Sequence, residues 1–196
     1  MYSISFIAIM LLYCHPNNQN IKTNLLNDET NRVTAFSKSA KQFCVQHKYN
    51  STVSFLVDMH IHSGKKRFFV INMNNDSILY SGLVVHGVCG IFFSATANFS
   101  NEPDNGCSSL GRYKIGNKYS GKFGTSYKLY GLDSTNSNAF KRNVVLHSYY
   151  EIPDNEIYPA HVCNSLGCPM VSKNFFKTLS AIIDASSKPV LLWIIN

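Results

Sequence analysis

The sequence predicts a mainly-β domain with two helices, on three observations. From position 52 onward, short runs of β-branched and aromatic residues alternate with turn-forming residues. Two segments, 24–49 and 171–185, instead space their apolar residues at helical period. The closing run 189–195, PVLLWII, is apolar at every position and reads as a strand covered on both faces. The chain has 196 residues, of which 45% are hydrophobic and 13% aromatic. That is enough for one domain with a real core and too apolar for wholesale disorder.

Residues 3–13, SISFIAIMLLY, form an apolar run followed at once by polar residues 15–19. The run is short for a membrane span and fits the apolar stretch of a secretory leader, although no Lys or Arg precedes it. We therefore expect a leader over 1–19, a folded domain over 20–196, and export to the periplasm or cell envelope. Cys14 stands where a lipoprotein would carry its lipidated cysteine, so the leader or that lipid would give a membrane tether. Tyr13 is large for the residue before such a cleavage site. A plain buried strand is the alternative reading of the run.

The helix expected over 24–49 places Leu25, Leu26, Val33, Phe36, Ala40, Phe43 and Cys44 on one side. Runs 52–59 and 67–73, parted by a turn at 62–65, read as a hairpin, and 78–85 as a third strand. Residues 101–124 are rich in Gly, Asn and Ser, with a strand fragment at 112–115. Further strands are expected at 126–132 and 143–147. The second helix carries a stripe of Val171, Phe175, Phe176, Leu179, Ile182 and Ile183, with Ser172 as its N-cap. There is no internal repeat and no linker that would divide the chain.

Lys and Arg number 18 against 11 Asp and Glu, a net charge of +7. The longest basic run is Lys65-Lys66-Arg67, which is no polybasic nucleic-acid arm. A lightly charged basic surface suits a polyanion, and charge alone does not choose among nucleic acid, anionic lipid and an acidic wall polymer. Six cysteines are irregularly spaced with no Cys-x-x-Cys pair, which disfavours a zinc ribbon or thioredoxin-type site. Cys89 and Cys107 would be able to pair if the chain is exported. The sequence leaves that open.

The chemistry-bearing segment is His147-Ser148 followed by Ser165-Leu166-Gly167-Cys168-Pro169. His147 ends an apolar strand, and Cys168 sits in a tight turn before the second helix. A cysteine near a helix N-terminus is biased toward thiolate, and a neighbouring imidazole would shuttle its proton. Gly167 lets the backbone approach a carbonyl closely, and the amides of Gly167 and Cys168 would stabilise an oxyanion. A cysteine and a histidine alone are a weak signal, since a buried cysteine is most often a small core residue.

In the order of its motifs the sequence resembles the YkuD-type L,D-transpeptidases, whose signature is a His, a spacer and Ser-x-Gly-Cys. It is most similar to the branch called the murein L,D-transpeptidase catalytic domain. The pieces that match are Val85-His86-Gly87, Phe99-Ser100-Asn101, Cys107 to Tyr113, Tyr119 to Gly124, Leu129 to Leu132, Asn138 to Arg142 and Ser165 to Pro169. They run from about Phe55 to the C-terminus. The resemblance implies a YkuD-like β-sandwich and a cysteine acyltransferase acting on peptidoglycan stem peptides, with no metal or cofactor. It implies no nucleic-acid partner and a monomer. Cys168 would be the nucleophile and His147 the base. Ser148 or a backbone carbonyl would orient the imidazole, and Ser165 would shape the turn. The Cys168 thioester would release D-Ala from a tetrapeptide stem and pass the acyl group to a second stem as a 3-3 cross-link. With water as acceptor the enzyme would be an L,D-carboxypeptidase. Most members carry Arg after the nucleophile turn, where this chain has Pro169-Met170, so the means of holding the donor carboxylate is in question. A catalytically silent wall-binding module of the same fold is the competing reading.

By the same resemblance His86 and Gly87 belong to the surroundings of the site, as substrate-cleft residues or as a plain strand-end turn. Ser108, Ser109, Arg112 and Arg142 would meet substrate carboxylates or serve internal turns and ion pairs. His60 and His62 form an H-x-H pair that would share one face of a strand, but no third ligand is evident and they read as solvated. His161, seven residues before Cys168, lies in a loop and reads as a bystander. Tyr149, Tyr150 and Tyr158 lie in the spacer, which would act as a lid or pack on the sheet. A Cys163–Cys168 disulfide would silence the nucleophile.

Overall fold

In the computed structural model, residues 18–196 are described, with side chains from residue 31 onward. The apolar run 3–13 and Cys14 lie outside them. The elements in order are α1 (Asn18–Gln46), β1 (Val53–Asp58), β2 (Phe68–Asn72), β3 (Ser77–Gly82), β4 (Gly111–Gly121), β5 (Gly124–Gly131), a 3-10 turn (Ser134–Asn136), β6 (Val145–Ser148), β7 (Met170–Val171), α2 (Lys173–Ala185) and β8 (Leu191–Ile195). The mainly-β prediction with two helices holds.

The strands make one sheet in the order β3-β2-β1-β8-β4-β5-β6-β7. Its two ends meet: the chain just beyond β3 bridges β7 at Val84 and Val171, and the Val85 amide donates to the Met170 carbonyl at 3.0 Å. The sheet therefore folds back on itself into the two walls of a sandwich. Phe55, Val57, Phe68 and Val70 come from one wall, and Tyr113, Ile115, Tyr127, Leu129 and Leu146 from the other. Between them α2 inserts Phe176 and Leu179.

β8 shows why its sequence is apolar throughout. It lies centrally, parallel to β1 and antiparallel to β4. Leu192 and Ile194 face the main core, while Leu191, Trp193 and Ile195 face α1. Alternation puts successive side chains on opposite faces, so covering both faces requires apolar residues at both. The helix α1 covers the outer face with Val33, Phe36, Ala40 and Cys44 against Leu56, Phe69 and Ile71. Arg32 docks it with a two-point ion pair to Asp58, at 2.9 and 2.8 Å.

Two boundaries moved. The α1 helix ends at Gln46, and Lys48 at φ +62° turns the chain away before Tyr49. The second helix begins at Lys173: Met170 and Val171 pair instead with β6, and Ser172 caps by accepting from the Phe175 amide. Val171 is thus a core strand residue. The Gly-rich region also hides a longer strand than the fragment 112–115 suggested, because β4 runs eleven residues, pairing with β8 at its start and with β5 from Tyr113 to Gly121.

Candidate active site

The register of three strands assembles the site. In β6, His147 pairs with Ser126 of β5 on one side and Met170 of β7 on the other. Cys168 lies two residues before Met170, so the parallel β6–β7 pair brings imidazole and thiol to the wall of one cleft of about 380 Å³. Ser165 and Leu166 complete the nucleophile turn in that wall, and Val88, Phe92, Phe93, Phe123 and Tyr149 also line the cleft. Glu151 is the one charged residue lining it.

His147 is buried, and its Nδ1 lies 3.0 Å from the Ser148 carbonyl. A carbonyl only accepts, so Nδ1 carries the proton and Nε2 keeps its lone pair. It is the backbone of Ser148, not its hydroxyl, that sets this tautomer. Burial holds the imidazole pKa below its usual 6.5, partly offset by that bond, so the ring is neutral at pH 7. Phe123, at the tip of the β4–β5 hairpin, stacks on the imidazole with centroids 4.4 Å apart.

Cys168 departs from the helix-dipole expectation. Pro169, β7 and Ser172 separate it from α2, and the dipole acts only within about the first turn. Burial instead pushes the thiol pKa up from 9.0. The Val145 amide, which donates to Sγ at 3.4 Å, and the charges of Arg142 and Lys128 work in the opposite direction. The resting pair is thus a thiol, directed to the Asn143 carbonyl at 3.8 Å, that shares its cleft with a neutral base, and the base must take the proton as the sulfur attacks.

The nucleophile turn is tied from both sides. Ser165 donates its amide to the His86 carbonyl and accepts from the Val88 amide, and its Oγ accepts from the Gly167 amide at 3.0 Å. That last bond occupies one of the two amides expected as oxyanion donors. The Cys168 amide has no partner among the described residues and is the available one. Gly167 adopts φ +109°, and a Cβ there would fall 2.6 Å from the Cys107 carbonyl oxygen. Cys107 is disulfide-bonded to Cys89, the pairing left open by the sequence.

None of the six residues expected near the substrate lines the cleft, and His86, Gly87, Ser108, Ser109 and Arg142 lie behind this turn. His86 is buried, with Nδ1 accepting from Arg67 at 2.8 Å and Nε2 beside Asn164. Desolvation and the Arg67 charge lower its pKa to about 4. Gly87 pairs with Ser165 and donates to the Ser108 hydroxyl; a Cβ there would meet the Gly106 carbonyl at 2.1 Å. Ser109 donates to the Ser100 carbonyl. Arg142 donates to Ser100, to Ser109 Oγ and to the Cys107 carbonyl, which makes it a brace under Gly167. Arg112 is on the far face, paired with Asp133 and set against the rings of Phe43 and Trp193.

His60 and His62 follow the end of β1 in a turn, not on a strand, and His62 Nδ1 accepts from the Gly64 amide. His161 is outside the cleft lining, whereas Cys163 is part of it. The sequence reading assigned no role to Phe123 or to Arg67. An aromatic residue between the turn glycines Gly121 and Gly124 was the available signal for the first. The second hid in a basic run that read as surface, yet Arg67 is wholly buried.

The family model of the L,D-transpeptidase catalytic domain (YkuD_2) matches residues 27–192. The chain belongs to this family. No curated protein sequence matches it. Similar solved structures include the helical cell shape determining protein Pgp2 from Campylobacter jejuni, at 10% identity and a TM-score of 0.45, covering 73% of this chain and 47% of that one. An L,D-transpeptidase from Xylanimonas cellulosilytica aligns at 9% identity and 0.42, covering 79% and 68%. One from Mycobacterium smegmatis aligns at 11% and 0.42, covering 74% and 59%. This chain thus spans about half the length of the Campylobacter protein. The family assignment rests on the sequence match.

Proposed function

We propose that the protein is an exported cysteine L,D-transpeptidase acting on peptidoglycan tetrapeptide stems. The observation that carries this reading is the sharing of one cleft by Cys168 and a His147 whose Nε2 lone pair is free. Export is supported by the Cys89–Cys107 disulfide, which persists in oxidising compartments, and by the apolar run at 3–13.

In the reaction, Cys168 Sγ attacks the carbonyl between the third stem residue and the terminal D-Ala, while Nε2 of His147 takes the thiol proton. The Cys168 amide donates to the developing oxyanion. The C–N bond then breaks, the proton passes from His147 to the departing D-Ala amine, and a thioester remains. A neighbouring stem amine closes a 3-3 cross-link. No metal or cofactor takes part.

The test is intact-mass spectrometry of the full chain mixed with a disaccharide-tetrapeptide, with Cys168→Ala in parallel. The expected result is an adduct of the stem less D-Ala, absent in the variant. A folded, reduced protein that forms no adduct would overturn the proposal in favour of a silent wall-binding module. An adduct that only water resolves would make it an L,D-carboxypeptidase.

A further inference from the structure

A base that takes a proton inside a buried site becomes a buried cation, and many catalytic histidines have a carboxylate beside them to stabilise it. His147 has none among the described residues. Its Nδ1 proton goes to the uncharged Ser148 carbonyl, and its pKa is set by burial, which lowers it, and by that bond, which raises it. What lies against the ring is Phe123. Lys122 and Phe123 form the two-residue turn between β4 and β5, closed by the pair Gly121 and Gly124. The phenyl ring covers the imidazole nearly parallel, with 17° between the planes and 4.4 Å between centroids. Phe123 is 48% exposed and belongs to none of the apolar clusters of the core, so core packing does not account for its place. The charges around it make the need plain. Lys122 lies 5.8 Å from the Phe123 ring, Arg142 and Lys128 act on Cys168, and Lys118, Lys173 and Lys177 line the groove beyond Phe123 and Ser148. The cleft wall adds Glu151, Tyr149 and Cys163. All the charged groups but Glu151 are cations, which oppose a further positive charge on His147.

We infer that Phe123 is a positioning residue of the reaction: it fixes the plane of the His147 ring, and its π face stabilises the imidazolium formed when His147 holds the Cys168 proton. This rests on the transpeptidase reading. As Sγ attacks, the S–H bond breaks and the sulfur electron pair forms the C–S bond. The carbonyl π pair moves to oxygen, and the proton moves to Nε2. His147 is then a cation until the proton passes to the departing amine. An aromatic face carries partial negative charge and attracts a cation set over it, more strongly where water is excluded. A leucine at the same place would exclude water as well but has no such face.

The experiment compares the full chain with Phe123→Leu and Phe123→Trp. In protein carrying 15N-labelled histidine, NMR titration gives the His147 pKa without any substrate, and intact mass gives the acylation rate on a disaccharide-tetrapeptide against pH. The expected result for Phe123→Leu is a His147 pKa lower by about one unit, with the rising limb of acylation moved down in pH by the same amount and the plateau rate reduced about tenfold. Phe123→Trp, with the stronger π face, should move the pKa the other way, by roughly half a unit. Opposite shifts from two bulky apolar residues are not the result of lost packing. A Phe123→Leu protein whose His147 titrates as in the wild type would overturn the assignment, whatever its rate, and so would a loss confined to KM. Should the leucine variant not fold, a tryptophan variant with an unchanged or lower His147 pKa would overturn it equally. Failure of the underlying reading shows differently: the histidine titrations differ as expected, while the wild type forms no acyl-enzyme.

Discussion

Substituting Gly167 by alanine tests the geometry of the nucleophile turn. The backbone there sits at φ +109°, a conformation that costs a residue with a side chain on the order of 1–3 kcal/mol. The new methyl would also lie 2.6 Å from the Cys107 carbonyl oxygen, where ordinary contact begins at 3.4 Å. That oxygen has little freedom to yield. Arg142 donates to it, and Cys107 is covalently bound to Cys89. The turn must therefore move by about 0.8 Å, with overpacking adding roughly 1–3 kcal/mol. A combined cost of about 3 kcal/mol lowers the melting temperature by roughly 6–12 °C in a domain of this size. Because Cys168 is the next residue, the same movement displaces the sulfur from His147, and a misplacement near 1 Å slows reaction on the order of 10²-fold. The assay pairs calorimetric melting with the rate of acyl-enzyme formation by mass spectrometry. A Gly167→Ala protein that melts within about 2 °C of the wild type and acylates within roughly threefold of it would refute the account.

Three further outcomes follow from groups near the site. Acylation should rise with pH along a limb centred below 6.5 and stay level toward 9, because His147 is already neutral and the thiol is held protonated by burial; a limb centred at or above 6.5 would contradict this. His86 carries a depressed pKa of about 4 against 6.5 when unfolded, so the unfolded chain binds the proton first as pH falls. Stability should therefore drop by on the order of 3 kcal/mol between pH 6.5 and 4, and His86→Gln should flatten the slope of melting temperature against pH even if it melts lower throughout. An unchanged slope would count against it. Replacing Cys89 and Cys107 together by Ser frees a closure of 18 residues, for which the chain-entropy account gives about 3 kcal/mol. Slower acylation should accompany the lower melting temperature, since Cys107 supports the turn beneath Gly167; a destabilised variant with wild-type acylation would show that the disulfide serves stability alone.

Much of the fold was legible because its signals are local. The period-two runs, the helical stripe of α2 and the doubly apolar β8 each state which faces are covered, and burial follows directly from side-chain alternation. The extent of β4 was not legible, because Gly111 to Gly121 is polar and glycine-rich and is held as a strand by pairing with β5 and β8. Propensity is a weak guide where tertiary pairing decides.

For the site, the sequence by itself determined the residue types and their order: a histidine at a strand end, then a glycine–cysteine turn. It also carried the family resemblance that the match over 27–192 bears out. Only the tertiary structure decided what those residues touch. The β6–β7 register turns a separation of 21 positions into neighbours on one wall, and it puts β7 where a helix start was expected, which removes the dipole from Cys168. Folding the sheet back on itself drives His86 and Ser109 behind the turn, where their polar groups must find partners because water is excluded, and sets the half-buried Arg142 against Ser109 and the Cys107 carbonyl. Those partners are distant in the chain, and no local pattern encodes a hydrogen bond to a carbonyl 35 residues away.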